Sequence, residues 1–188
     1  TCPMMHPIQT KRLLLRAWET SDIENLYLYA KDPRVGPRCG WKPHESPDES
    51  REVLHQILQR EESYAIALLE DNRAIGGIGL NFGKDSILVQ GEDEAEIGYW
   101  IGVPFWGQGL TPEAVRALLA HAFLECGCTR VWCGYFDGNN QSRRAQEKCG
   151  FVYSHTLPMR DVPQLHAKRT EHVTYLTREA WQALAGKT

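Results

Sequence analysis

Two glycines, Gly107 and Gly109, stand one residue apart in "FWGQGLTPEA", residues 105–114, directly ahead of Pro112. A loop that only had to turn needs less. A helix starting at Pro112 offers unpaired backbone N–H groups and a partial positive charge at its N-terminus. Glycines in front of it let an anion reach those groups without meeting a Cβ, and a proline in the first turn gives up no hydrogen bond. Residue types and spacing therefore describe an anion cradle, with a plain strand-to-helix turn as the alternative. No Gly-Lys-Ser/Thr follows, which excludes a P-loop, and Pro112 stands where a dinucleotide fingerprint has its third glycine. A second polar cluster lies in "NNQSRRAQEKCGF", residues 139–151, where Asn139 and Ser142 begin a short helix that stops at Gly150-Phe151. The other reactive side chains form no pattern. Cys2, Cys39, Cys126, Cys128, Cys133 and Cys149 contain no Cys-x-x-Cys pair, and the seven histidines are scattered. No metal site is expected, and the thiols read as reduced, small apolar residues.

The elements that must position these residues are legible from period and punctuation. "EAEIGYWIGV", residues 94–103, reads as a strand feeding the glycine loop. Ala114, Val115, Leu118, Leu119, Ala122 and Phe123 recur at helical spacing after Pro112, and Gly127 ends that helix. "TRVWCGYF" is a strand, "DGNN" a turn, and "FVYSHTL" and "EHVTYLT" are closing strands before a helical tail, "REAWQALA". Upstream, "RLLLRAW" is a strand and "SDIENLYLYA" a helix, with Ser21 as N-cap and Glu24 completing a capping box. "DPRVGPRCGWKPHE" is loop. The helix of "SPDESREVLHQIL" has Ser46 as N-cap, Pro47 at its first position and Glu49 closing a second capping box. "SYAIALL" and "AIGGIGL" flank a polar turn as a hairpin. With 188 residues, 42% of them apolar, no repeat and no linker, the chain reads as one α+β domain, 1–188, with a mostly antiparallel sheet. A net charge of −3 argues against a general nucleic-acid binder. No run of 18 apolar residues offers a membrane span, and "TCPMMHPIQTKR" lacks a hydrophobic signal core, so a cytoplasmic protein is expected.

"GYWIGVPFWGQGLTPEA" and "NxxSxRxxEKCGF" together resemble the GNAT superfamily of acetyl-coenzyme A-dependent N-acetyltransferases. The opening "IQTKRLLLRAWETSDIENLY" is similar to the first strand and helix of its branch that contains the ribosomal-protein alanine N-acetyltransferases. The resemblance runs over nearly the whole chain in the right order. It implies a mixed, mostly antiparallel sheet of about seven strands, flanked by helices and splayed at the fourth strand. It implies acetyl-CoA as co-substrate and an amine as acceptor, on a monomer or homodimer. The family's pyrophosphate loop falls on Trp106, Gly107, Gln108, Gly109, Leu110 and Thr111. Trp106 and Thr111 depart from its commonest form, but the contacts are made by backbone amides. Ile101, Gly102 and Val103 fall on the splayed strand, whose free edge pairs with the pantetheine arm. Asn139 and Ser142 face the thioester.

Acetyl transfer needs an unprotonated amine, a polarised carbonyl and a proton for the leaving thiolate. A strand amide near Ile101 is placed to polarise the carbonyl. Many relatives protonate the thiolate with a tyrosine four residues after the position of Ser142. Here that position is Gln146, which leaves Ser142 as the candidate. Glu96 is the candidate base, on one strand face with Gly98 and Trp100. Its alternative is a solvated carboxylate beside Glu92, Asp93 and Glu94. Arg38 and Trp41 fall where the family walls the acceptor site. Arg38 would pair with an acceptor carboxylate; Trp41 reads first as a hydrophobic plug over the core, with contact to the acceptor as the alternative. His44 and His55 read as surface residues. The function implied is transfer of acetyl from acetyl-CoA to a primary amine, a protein N-terminus or a small molecule. The alternative is a catalytically silent coenzyme A-binding regulatory module, which the missing tyrosine keeps open.

Overall fold

Short apolar runs with alternating exposure build the sheet. A computed structural model describes Cys2 and residues 5–187; Thr1, Pro3, Met4 and Thr188, which the expected domain 1–188 also takes in, lie outside the described residues. The strands are β1 (Ile8–Gln9), β2 (Leu13–Arg16), β3 (Ser63–Leu68), β4 (Ala74–Phe82), β5 (Glu94–Ile101), β6 (Arg130–Phe136), β7 (Val152–Val162) and β8 (Ala167–Thr177). Among the described residues they form one sheet in the order β1-β2-β3-β4-β5-β6-β8-β7. Every neighbouring pair is antiparallel except β5–β6. The fold is thus α+β with a mixed, mostly antiparallel sheet. It has eight strands rather than about seven because the two-residue β1 adds to the edge.

The parallel pair is where the sheet opens. β5 pairs with β4 along its whole length, out to Ile101 opposite Gly76. Its pairing with β6 stops at Glu96 opposite Trp132. From there β6 follows β8 alone, out to Phe136 opposite Glu171. Glu96 therefore sits at the crotch of a V whose one arm is residues 97–101 of β5.

Among the described residues five helices flank the sheet: α1 (Ile23–Ala30), α2 (Pro47–Val53), α3 (Leu110–Leu124), α4 (Asn140–Lys148) and α5 (Arg178–Ala185). The apolar stripe of α3, with Leu118, Leu119 and Ala122 buried, packs on Ile66, Leu80, Ile97 and their neighbours as the main core. A smaller cluster on Trp18, Leu26, Ala30 and Leu54 seats α1 and the chain after α2.

Several expectations change in detail. Ser21 does not cap α1. A 3-10 turn, Thr20–Asp22, precedes it, and the Asp22 carboxylate accepts from the Glu19 amide at 2.8 Å. Arg16 holds Asp22 there through two bonds of 2.8 and 2.9 Å, a buried pair that outweighs a local serine cap. Ser46 caps α2 as expected, accepting from the Glu49 amide at 3.1 Å. The helix then widens into a π turn over Leu54–Leu58. α3 begins at Leu110, two residues before Pro112. His44 is not a surface residue: its ring is buried, with Nδ1 2.7 Å from Ser50 Oγ.

The cysteines also divide. Cys2 and Cys126 are joined as a disulfide, against the expectation of six reduced thiols, because the topology lays the segment before β1 against the end of α3. Cys128 and Cys149 behave as expected, buried and with thiols pushed up by burial to about 11.

Candidate active site

Gly107 and Gly109 both hold φ at +76°, a left-handed conformation that side chains rarely adopt. Gly109 is the N-cap of α3, so the chain enters the helix with its first amides facing outward. A Cβ at Gly107 would meet nothing within 4 Å, and one at Gly109 only Arg12 Nη2 at 3.7 Å. The space in front of both glycines is open. One acidic residue, Glu113, lies in the first turn and would repel an anion. It is turned aside and neutralised by Thr10 Oγ1 at 2.6 Å, the Arg12 amide at 2.9 Å and Arg12 Nε at 2.8 Å.

The cradle opens into a cleft of about 930 Å³ that includes the splay. That volume is at the upper end for small-molecule sites. Gly107, Gly109, Leu110 and Thr111 line it, with Trp106 and Ile101 beside them. Asn139 and Ser142 line it from α4. Asn139 caps that helix, its Oδ1 accepting from the Ser142 amide at 3.2 Å.

Three expected residues do not reach the cleft. The Gly102 amide is bonded to Ile75 O on β4 at 2.8 Å. Val103 starts a 3-10 turn that faces a separate depression with Tyr29 and Phe105. Gln108 folds back, its Nε2 donating to Pro104 O at 3.1 Å. Because backbone groups alternate sides along a strand, Gly102 facing β4 turns the Tyr99 and Ile101 amides toward the splay.

Side chains alternate as well, and the two faces of β5 carry different chemistry. On one face, Trp100 stacks on Trp18 at 6.4 Å and meets the edge of Trp41 at 5.6 Å. Glu96 lies on this face at the crotch. Ser86 Oγ donates to Glu96 Oε1 at 2.6 Å and is itself fixed by the Leu88 and Val89 amides. Burial raises the pKa of Glu96, and the charge of Glu171 adds to the rise; the Ser86 bond and Arg160 oppose it. This is not the environment of a solvated strand carboxylate. Glu171 on β8 is buried, bonded by Arg160 Nε at 2.6 Å, and lies over Gly134, where a Cβ would strike its carboxylate.

On the other face, the Tyr99 hydroxyl lies 2.7 Å from Ser142 Oγ. Gln146 Nε2 donates to Tyr99 Oη at 3.1 Å, to Ser142 Oγ at 3.1 Å and to Gly134 O at 3.0 Å. Thr174 Oγ1 donates to Gln146 Oε1 at 2.8 Å, which fixes the amide's orientation. The glutamine therefore carries a phenol that arrives from β5. Burial raises the pKa of Tyr99 well above the ordinary phenol value, so the hydroxyl keeps its proton.

Arg38 lines the cleft on its α4 side. It bridges to α4, donating to Gln141 Oε1 at 3.2 Å, and its guanidinium covers the Trp106 ring at 4.9 Å. Arg144 and Lys148 of α4 line the cleft too, and Cys149 Sγ, 3.7 Å from Pro112 O, keeps that end of α4 beside the cradle. The cleft is thus basic toward the cradle, while at the crotch Glu96 lies near a Glu171 that is paired with Arg160. Trp41 lines the cleft and packs against the smaller core cluster.

Sequence reading missed Tyr99, Glu171, Arg160 and Ser86. Tyr99 carried a usable signal, since alternation from Glu96 places it on the face of the strand that meets the following helices. The other three come from a long loop and the closing hairpin, where no local pattern points at the crotch.

Comparison with known proteins agrees with this geometry. The family model for the acetyltransferase (GNAT) domain matches residues 12–152. A Bacillus subtilis (strain 168) protein named "Putative ribosomal N-acetyltransferase YdaF" is 39% identical over 149 residues, 76% of this chain and 79% of that protein. The fold is similar to a GCN5-related N-acetyltransferase from Brucella melitensis, with TM-score 0.83, 16% identity and coverage of 99% of this chain and 85% of that one. It is also similar to ribosomal-protein-S5-alanine acetyltransferase from Vibrio fischeri, with TM-score 0.71, 16% identity and coverage of 94% and 99%.

Proposed function

The chain belongs to the GNAT family of acetyltransferases, and on that premise we propose that it moves the acetyl group of acetyl-CoA directly onto a primary amine. The observation that carries this reading is one cleft joining an open backbone cradle, a splayed strand and a buried carboxylate at the crotch. The amides of residues 107 to 111 fit a pyrophosphate, since the glycines leave its approach clear. Arg38, Arg144 and Lys148 supply positive charge for the phosphates. The pantetheine arm fits along the Tyr99–Ile101 edge, where it would take the place that β6 leaves. The Ile101 amide then faces the thioester carbonyl and stabilises the charge that develops on its oxygen.

Glu96 accepts the proton of the incoming amine, directly or through a water. Its raised pKa brings it closer to a useful value for that task. Tyr99 and Ser142 receive the leaving thiolate. A phenol with a raised pKa is a poor source of a permanently transferred proton, so Tyr99 acts chiefly as a hydrogen-bond donor to the sulfur; the ammonium gives one proton to Glu96 before attack, and the second N–H proton, lost as the C–S bond breaks, goes to the thiolate. Tyr99→Phe is expected to lower turnover about 10²-fold with little change in apparent acetyl-CoA affinity. Steady-state kinetics check this, and parental turnover in Tyr99→Phe would reduce Tyr99 to a support for Ser142.

Glu171 being paired with Arg160, Glu96 is the carboxylate at the crotch that suits an ammonium acceptor. At pH 7 roughly one in seven α-amines is neutral, against fewer than about one in a thousand lysine side chains. A single moderately basic carboxylate therefore serves a protein N-terminus better than a lysine, in keeping with the ribosomal substrates in the names of two of the similar proteins. A cytoplasmic site of action goes with that acceptor; none of the described helices is long and apolar enough to cross a membrane. The test is a panel of peptides with different N-terminal residues, polyamines and amino acids, read by mass spectrometry with acetyl-CoA. Acetylation of peptide α-amines above the others is expected, and acetylation confined to small polycations would overturn the acceptor assignment.

A further inference from the structure

Outside the cleft, three parts of the chain bring four donor groups together at the end of α3. His121 lies on its last turn and Cys126 just beyond it; Glu62 leads into β3, and Cys2 precedes β1. Cys2 Sγ, Cys126 Sγ, His121 Nε2 and a Glu62 carboxylate oxygen all lie within 4.8 Å of one another. Glu62, His121 and Cys126 are buried, and Cys2 is half-buried. His121 Nε2 is 2.9 Å from Glu62 Oε1 and 3.4 Å from Cys126 Sγ, so one ring nitrogen faces both groups.

We infer that, once the Cys2–Cys126 disulfide is reduced, these four side chains form a binding site for a divalent cation of the zinc class. Two thiolates, an imidazole and a carboxylate are donors that such a cation takes tetrahedrally. Zinc stands about 2.3 Å from sulfur and about 2.0–2.2 Å from nitrogen or oxygen, which sets ligand atoms roughly 3.3–3.8 Å apart. The observed cluster reaches that spacing with small shifts, the main one being separation of the sulfurs as the S–S bond opens. Cys2 lies ahead of β1, half-buried, and its sulfur is the one that has to make that shift.

The groups behind the donors fit as well. A metal-bound histidine commonly has a carboxylate behind its other ring nitrogen. Glu125 Oε1 lies 3.2 Å from His121 Nδ1, within ion-pair reach though not aligned as a hydrogen bond in the oxidised form. Tyr64 Oη donates to Glu62 Oε1 at 2.8 Å and fixes that carboxylate's orientation. Nothing in the proposed acetyl transfer uses any of these residues.

A dithiol reductant attacks the disulfide, leaves as its own cyclic disulfide, and delivers two electrons and two protons to Cys2 and Cys126. The cation then binds the two thiolates, and their protons pass to solvent. The same four residues thus hold either a disulfide or a cation, and the redox state decides which.

The test is titration of the full chain with Co²⁺, a spectroscopic stand-in for Zn²⁺, after reduction and anaerobic removal of the dithiol. One equivalent should bind with a thiolate-to-cobalt charge-transfer band and tetrahedral d–d bands, and Zn²⁺ should displace it. The oxidised protein should show neither band. Cys2→Ser removes a ligand from a half-buried position and should abolish the one-equivalent complex, and Glu125→Gln, which leaves all four ligands in place, should weaken it about 10–100-fold. Absence of the charge-transfer band in the reduced parent would overturn the site. So would a band that persists unchanged in the oxidised protein or in Cys2→Ser.

Discussion

Glu96→Gln is expected to lower kcat/KM about 10²–10⁴-fold near neutral pH, the range for losing a positioned general base. Glutamine keeps the size of the side chain and can still bond Ser86, so packing at the crotch changes little. What disappears is a group able to take the ammonium proton. The pH profile carries the sign. Burial and the charge of Glu171 raise the pKa of Glu96, so the carboxylate is available above that value and is lost as pH falls through it. The parent should therefore show an acid limb in kcat/KM lying above the ordinary glutamate value of about 4.3. In Glu96→Gln that limb should vanish, leaving a small rate that climbs with pH as free amine becomes available. If Glu96 only attracts the cationic acceptor, its loss will raise KM for the amine and leave saturated turnover near the parent's. Stopped-time assays across pH with saturating and subsaturating amine separate these outcomes.

Gly109→Val should weaken coenzyme A binding at least tenfold, or about 1.4 kcal/mol. Two causes act together. A β-branched residue at φ +76° is strained by about 1–2 kcal/mol or more, so the loop shifts away from the conformation that aims its amides outward. The new side chain also projects into the open space through which a phosphate would approach. Gln108→Ala is the control, since that side chain folds back onto Pro104 and its loss should change affinity less than about twofold. Calorimetry measures the affinities, and a thermal melt without ligand shows whether Gly109→Val still folds. Parental affinity in a folded Gly109→Val would move the pyrophosphate away from α3.

The sequence made the frame legible because its signals are local. The glycine pair, the stripe from Ala114 to Phe123 and the hairpin either side of residues 69–73 each announce themselves within a few residues. The candidate cradle followed from the same rules, apart from the two-residue error in where α3 begins. What stayed hidden is assembled across the fold. Tyr99 meets Ser142 and Gln146 only because β5 and β6 part after Glu96, and no spacing encodes where a parallel pair ends. Arg38 carries no local signal of its contacts, which are to Gln141 on α4 and to the Trp106 ring. Glu171 and Arg160 sit on two strands longer than their alternation suggested. Cys2 and Cys126 are 124 residues apart, so their union depends on β1 joining the edge of the sheet next to α3.

We propose that this cleft transfers acetyl from acetyl-CoA to an amine. Coenzyme A thiol release, followed with a thiol reagent at fixed acetyl-CoA while a peptide amine is varied, tests it most directly. The account predicts release that depends on the amine, saturates with both substrates, matches the acetylated product mole for mole, and falls at least about 10²-fold in Glu96→Gln. Tight coenzyme A binding with no amine-dependent thiol release from any acceptor would contradict it and leave a silent coenzyme A-binding module.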